Sequence, residues 1–115
     1  MTDAFDPIQA KSLDAAAKQA LDTGDARDPR TRETFLRAAE CFRLGATADA
    51  FSASRAIHWY RKAGQPADAI AVGVPALESW PADAWIRRHL TWAYYDVAKE
   101  RAETDASATL QALTQ

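Results

Sequence analysis

Thr47-Ala48-Asp49-Ala50, Pro66-Ala67-Asp68-Ala69 and Pro81-Ala82-Asp83-Ala84 are three versions of one phrase. In each, a capping residue or proline precedes an aspartate in the first turn of a helix. Free backbone N–H groups and the helix dipole favour negative charge there. The phrases begin 19 and 15 residues apart, which together make 34. Two unequal helices summing to a 34-residue period mark a helix–turn–helix repeat.

Outward from this stretch the same punctuation continues. Asp6-Pro7 opens a helix that runs to about Asp22 and stops at Thr23-Gly24. Asp25-Ala26-Arg27-Asp28 is a polar loop, and a second helix spans about Pro29 to Leu44 before Gly45. Thr47 is the expected cap of a third helix ending at Ala63-Gly64. Pro66 opens a fourth, to about Ser79, which Pro75 should kink or shorten. Pro81 opens a fifth, to about Glu103. Residues 105–115 form a polar tail with room for a short helix.

Hydrophobic spacing agrees with this division. Phe35, Ala38, Ala39 and Phe42 share one face of the second helix. Ala53, Ala56, Ile57 and Tyr60 share one face of the third. Ile86, Leu90, Ala93, Tyr94 and Val97 share one face of the fifth. Short links make such helices antiparallel neighbours. The 115 residues are 48% apolar with alanine dominant, and 26% charged with a net charge of −2. Alanine favours helix, so the fold class is all-α, within one domain. That charge exerts no global pull toward nucleic acid or an anionic membrane. The start, Met1-Thr2-Asp3-Ala4-Phe5-Asp6, lacks the basic and apolar regions of a signal peptide. With a lone cysteine, Cys41, and no membrane-length apolar run, the expected compartment is the cytoplasm.

Residues 50–97 resemble a tetratricopeptide repeat followed by the first helix of another. Tyr60 stands at the family's aromatic position, Gly64 at its turn glycine, and Ala69 and Ala76 at its small residues. Pro81 stands at the closing proline, and Leu90 and Tyr94 at the apolar and aromatic positions of the next unit. Ala56-Ile57 stands where the family prefers Leu-Gly, and Gly73 where it prefers an aromatic. The resemblance implies a short right-handed solenoid of stacked antiparallel hairpins within residues 1–104. Residues 1–46 would be a degenerate first hairpin, 47–80 the best-matching repeat, and 81–104 the start of the next or a capping helix. It also implies a non-catalytic adaptor or regulatory module that takes a peptide or partner protein on its concave face.

Phe51, Ser54, His58, Arg61 and Lys62 lie on the third helix away from its apolar face, where the resemblance places the groove. The fifth helix carries a second non-polar face: Trp85, Arg88 and Trp92, with Tyr95 at its flank. Tryptophan and arginine are the residues enriched at binding hot spots. Two arrangements account for them. Either a partner or a second copy of the chain covers them, or the tail folds back through Leu110 and Leu113 as an end cap.

Chemistry finds little support. His58 and His89 lack neighbours at metal-ligand spacing, so neither a metal nor a cofactor is expected. Cys41 has no activating neighbour. No phosphate loop or serine nucleophile motif is present, and the chain reads as a non-enzyme. The alternative class is a nucleic-acid-binding or defence-associated regulator. It would use Arg27, Arg30, Arg32, Arg37 and Arg43, with Arg55, Arg61, Lys62, Arg87 and Arg88 further on, interleaved with the tryptophans, although Asp25, Asp28, Glu33 and Glu40 dilute the charge of the first group.

Overall fold

Caps and prolines set the helix starts. The computed structural model describes residues 4–114, so 1–3 of the expected first hairpin and 115 of the tail lie outside it. Five α-helices and no strand occur among the described residues: α1 (Pro7–Thr23), α2 (Pro29–Arg43), α3 (Ala50–Lys62), α4 (Pro66–Ser79) and α5 (Ala84–Thr114). Asp6 Oδ1 accepts from the Ile8 and Gln9 N–H groups at 3.0 and 3.3 Å. Asp28 Oδ1 accepts from Arg30 N–H at 2.8 Å. Such carboxylates satisfy donors that the first turn leaves without partners.

Asp49, not Thr47, caps α3, accepting from Phe51 N–H at 3.1 Å and from the Ser52 hydroxyl at 3.0 Å. The N–H groups of Ala48 and Asp49 both turn back to Gly45 O, which holds Thr47 in the preceding turn. At the other end of α3, Gly64 adopts φ 77°. Gln65 N–H donates to Tyr60 O at 2.9 Å and Gly64 N–H to Arg61 O at 3.0 Å. This is a Schellman ending, which needs a residue with positive φ.

Two expectations for the later helices are corrected. Pro75 does not shorten α4, which continues through it to Ser79. Pro75 and Ala71 are exposed, so the carbonyl that loses its donor faces water, where it is satisfied. Helix α5 starts at Ala84, after a turn closed by Asp83 N–H on Trp80 O, with Asp83 Oδ1 accepting from Ile86 N–H. It does not end near Glu103 but runs to Thr114. No Gly or Pro follows Pro81 to stop it.

Helix α2 packs on α1 and α3, α4 packs on α3 and α5, and α3 also packs on α5. The core at these crossings is largely alanine: Ala38 and Ala39 from α2, Ala53 and Ala56 from α3, Ala69 and Ala76 from α4. Small side chains let helix axes approach closely. Phe35, Ile57, Trp59 and Ile86 fill the remaining space. Gly73 shows how tight the packing is. A Cβ there would lie 2.6 Å from Leu90 Cδ1 and 3.3 Å from Ile57 Cδ1. The aromatic preferred at that position in tetratricopeptide repeats has no room, because Leu90 of α5 occupies the space.

The expected faces of α2 and α3 are buried, as are Ile86, Leu90 and Ala93 of α5. Tyr94 departs from its expected burial, with 50% of its surface exposed. No further helix packs on that side of α5 among the described residues.

Candidate functional site

The third and fifth helices meet along a strip of rings. Trp59, fully buried, stacks on Phe35 of α2 with centroids 5.4 Å apart and planes at 14°. His58 meets Trp59 edge-on at 4.5 Å and His89 of α5 at 5.1 Å. His89 stacks on Trp85 at 6.1 Å, and the Arg88 guanidinium lies 5.9 Å from the Trp85 ring. The strip thus runs from the hydrophobic core to an exposed tryptophan.

A second arm begins at Arg61. Its Nε donates to Asp96 Oδ2 at 2.8 Å, and its guanidinium sits 5.7 Å from the Trp92 ring. Trp92 meets Tyr95 edge-on at 5.6 Å. Trp85, Trp92 and Tyr95 are 61%, 47% and 56% exposed, which makes a substantial apolar surface on one helix. Arg88 and Lys62 have no carboxylate within ion-pair distance among the described residues. The face therefore offers free positive charge beside aromatic rings.

Sequence reasoning missed the anchor beneath this face. Asp14 of α1, nearly buried, accepts from Arg55 Nε at 3.0 Å, Arg55 Nη2 at 2.7 Å and Trp59 Nε1 at 2.8 Å. Lys18 Nζ lies 3.1 Å from its other oxygen. Burial raises the Asp14 pKa, but hydrogen bonds from Trp59, Arg55 and Lys18 and the charge of Arg55 outweigh it. The carboxyl is held below its ordinary 3.8. Only the Asp14–Lys18 spacing, one helical turn, was visible in the sequence. Nothing local indicated that Asp14 meets Trp59.

The histidines are poor bases here. Burial first, then Arg55, His89, Lys62 and Arg61, push His58 down to about 3. Burial, then Arg61, Arg55, Arg88 and Lys62, push His89 down to about 4. Both rings are neutral at pH 7, and both Nδ1 atoms are buried without a hydrogen-bond partner. The surrounding cations disfavour a metal ion as they disfavour a proton. No group of three potential ligands occurs among the described residues. Because both folded-state values lie below the unfolded value of 6.5, the pair's contribution to stability is intact above pH 6.5. It declines as pH falls toward about 4 and about 3. Melting temperature should therefore fall between pH 7.5 and pH 5. His58→Gln/His89→Gln should flatten that slope. A parent slope equal to that of the double variant would refute the assignment.

Not every expected contact residue belongs to this face. Ser54 is 5% exposed and donates to Phe51 O at 2.8 Å, so no partner reaches it. It lies on the side of α3 that the helix packing covers. Phe51 is 60% exposed, but it packs edge-on against Phe42 at 6.1 Å. It lines a separate hollow of about 470 Å³ between α1 and α3, with Phe5, Lys11 and Lys18. His58, Arg61, Trp85, Arg88, Trp92 and Tyr95 do come together, and Lys62 lies exposed at the end of α3. Leu110 and Leu113 are 65% and 77% exposed on the continuing α5, so the tail does not fold back over the tryptophans. Of the α2 arginines, Arg32 bonds Ala26 O and Arg43 bonds the Tyr60 hydroxyl. They lie on another helix from the tryptophans.

Cys41 is half-buried, and burial with the charge of Asp6 raises its pKa, the environment of an inert thiol. No helix among the described residues is long and apolar enough to cross a membrane. The chain matches no family model, no curated protein and no solved structure.

Proposed function

We propose that this chain is a non-catalytic binding module of tetratricopeptide-like build, acting in the cytoplasm. It takes a peptide or a segment of a partner protein across the face formed by α3 and α5. In this reading α1–α2 and α3–α4 are two stacked hairpins, and α5 begins a third unit. The observation that carries the reading is the exposed Trp85 and Trp92 beside Arg88, which has no carboxylate partner among the described residues, on helices packed from below. Exposed tryptophans next to arginine are the composition of interface hot spots. Rigid backing by His58, Trp59 and Asp14 lowers the ordering cost of binding. The preferred ligand pairs an apolar side chain for the tryptophans with a carboxylate for Arg88 and Lys62.

Selection of a displayed random-peptide library on the purified chain tests this. Selected peptides should be enriched in acidic and apolar residues. Trp85→Ala and Arg88→Ala should each weaken them by about 1–2 kcal/mol, the range of interface anchors, with the fold retained by circular dichroism. Peptides that bind both variants as tightly as the parent would place the binding surface elsewhere. If nucleic acid binds instead, with an affinity falling steeply as salt rises, the protein-partner reading fails.

A further inference from the structure

Beyond the helical body, α5 stands alone. Every described side chain from Ala98 to Leu113 is exposed. An unsupported stretch of this length is a marginal helix in water and gains stability by pairing. The face of α5 turned away from Ile86 and Ala93 carries Trp92 and Tyr95 near one end and Leu110 and Leu113 near the other. We propose that this face pairs antiparallel with the same face of a second copy, about a two-fold axis at Ala102.

Charge placement identifies the occupant. Residues four apart share one flank of a helix. Lys99 and Glu103 lie to one side of Ala102, together with Trp92 and Leu110, and Arg101 and Asp105 lie to the other. Each flank therefore has a cation before Ala102 and an anion after it. In a two-fold antiparallel pair, each flank meets the same flank of its mate. Lys99 then meets Glu103 of the second copy, and Arg101 meets Asp105, in both directions. A parallel, in-register pair instead sets Lys99 beside Arg101 and Glu103 beside Asp105.

None of these four charges has an ion-pair partner among the described residues. Within one helix the order cation-then-anion is the weaker arrangement at this spacing, so a second copy meets charges not already paired. An axis at Ala102 sets Tyr95 opposite Thr109 and Ala98 opposite Ala106, and brings Trp92 within two residues' rise, about 3 Å, of Leu110 of the second copy. Each copy thus supplies Trp92 close to where the other supplies Leu110. A foreign partner would not be expected to match a pattern antisymmetric about one residue.

Sedimentation equilibrium of the full chain should show a dimer. Lys99→Glu/Arg101→Glu and Glu103→Lys/Asp105→Lys should each weaken self-association at least about ten-fold, since like charges then face one another. Mixed together, the two variants should form a heterodimer. Orientation is read in a Cys41→Ala background with a short thiol cross-linker. Ala98→Cys should link to Ala106→Cys in another chain and not to itself. A monomer at every concentration, undiminished self-association of either charge variant, or an Ala98→Cys self-link would each overturn the proposal. These substitutions lie beyond the α3–α5 face. Because the pair covers Trp92 and Tyr95, the charge variants, once monomeric, should bind selected peptides at least as tightly as the parent. Dimerisation lost with peptide binding retained, or dimerisation intact with no peptide bound by any of the proteins, separates this proposal from the binding-module reading.

Discussion

Asp14→Ala is expected to destabilise the chain by about 3–5 kcal/mol, the usual cost of removing one partner from a buried ionic contact. The carboxylate accepts the Trp59 indole N–H and both nitrogens of the Arg55 fork, and α1 brings only Ala10 and Ala17 as other buried side chains. Without it, a buried donor and a mostly buried guanidinium lose their acceptor together. Asp14→Asn keeps an oxygen for the indole and should recover part of the loss. Urea denaturation of the three proteins at pH 7 measures this. The folded-state pKa of Asp14 is depressed, so its contribution is present above about pH 3.8 and lost as pH falls further. Parent and Asp14→Ala should therefore differ less in strong acid. A neutral-pH difference below about 1 kcal/mol would mean that the contact does not hold α1 in place.

Trp59→Ala should be comparably severe, about 3–5 kcal/mol, combining lost transfer energy with a cavity beside Phe35. The side chain has no exposed surface. Trp59→Phe retains a ring against Phe35 but removes the donor to Asp14, and should cost less, about 1.5–3 kcal/mol for a hydrogen bond to a charged group. The Asp14 and Trp59 effects should not add. In a double-mutant cycle with Asp14→Ala and Trp59→Phe, the second change should cost less than it does alone, because the shared bond is already lost. Full additivity would show that the 2.8 Å contact contributes nothing. The consequence extends to the binding face, because Trp59 supports His58, which supports His89 and Trp85.

The helices were legible because their signals are local. Asp6-Pro7, Asp28-Pro29 and Gly64 act within one turn of where they stand, and alanine and aromatic spacing marks the face each helix buries. The Trp85–Trp92 face was legible for the same reason: two apolar faces on one helix leave one without a place in the core. Errors arose where a residue had two plausible roles. Thr47 and Asp49 are both good caps, and only the turn onto Gly45 O selects between them. Tyr94 suits a buried aromatic position, but burial needs a helix on that side. A polar composition after Glu103 suggested an end to α5, yet residues rich in alanine and free of glycine and proline keep a helix going.

By itself, then, the sequence determined five helices, the approximate limits of the first four and the start of the fifth, most of their buried faces and the exposed tryptophan stripe. The tertiary structure alone decided that Asp14 reaches 41 residues along the chain to Arg55 and 45 to Trp59. It also decided that His58 opposes His89, that Leu90 fills the space at Gly73, and that Ser54 points inward while Phe51 joins a hollow beside α1. Helical periodicity specifies the direction of a side chain around its own axis. Which residue it meets depends on the rotation and crossing of another helix, and these are set by how closely alanines and glycine let the two axes approach.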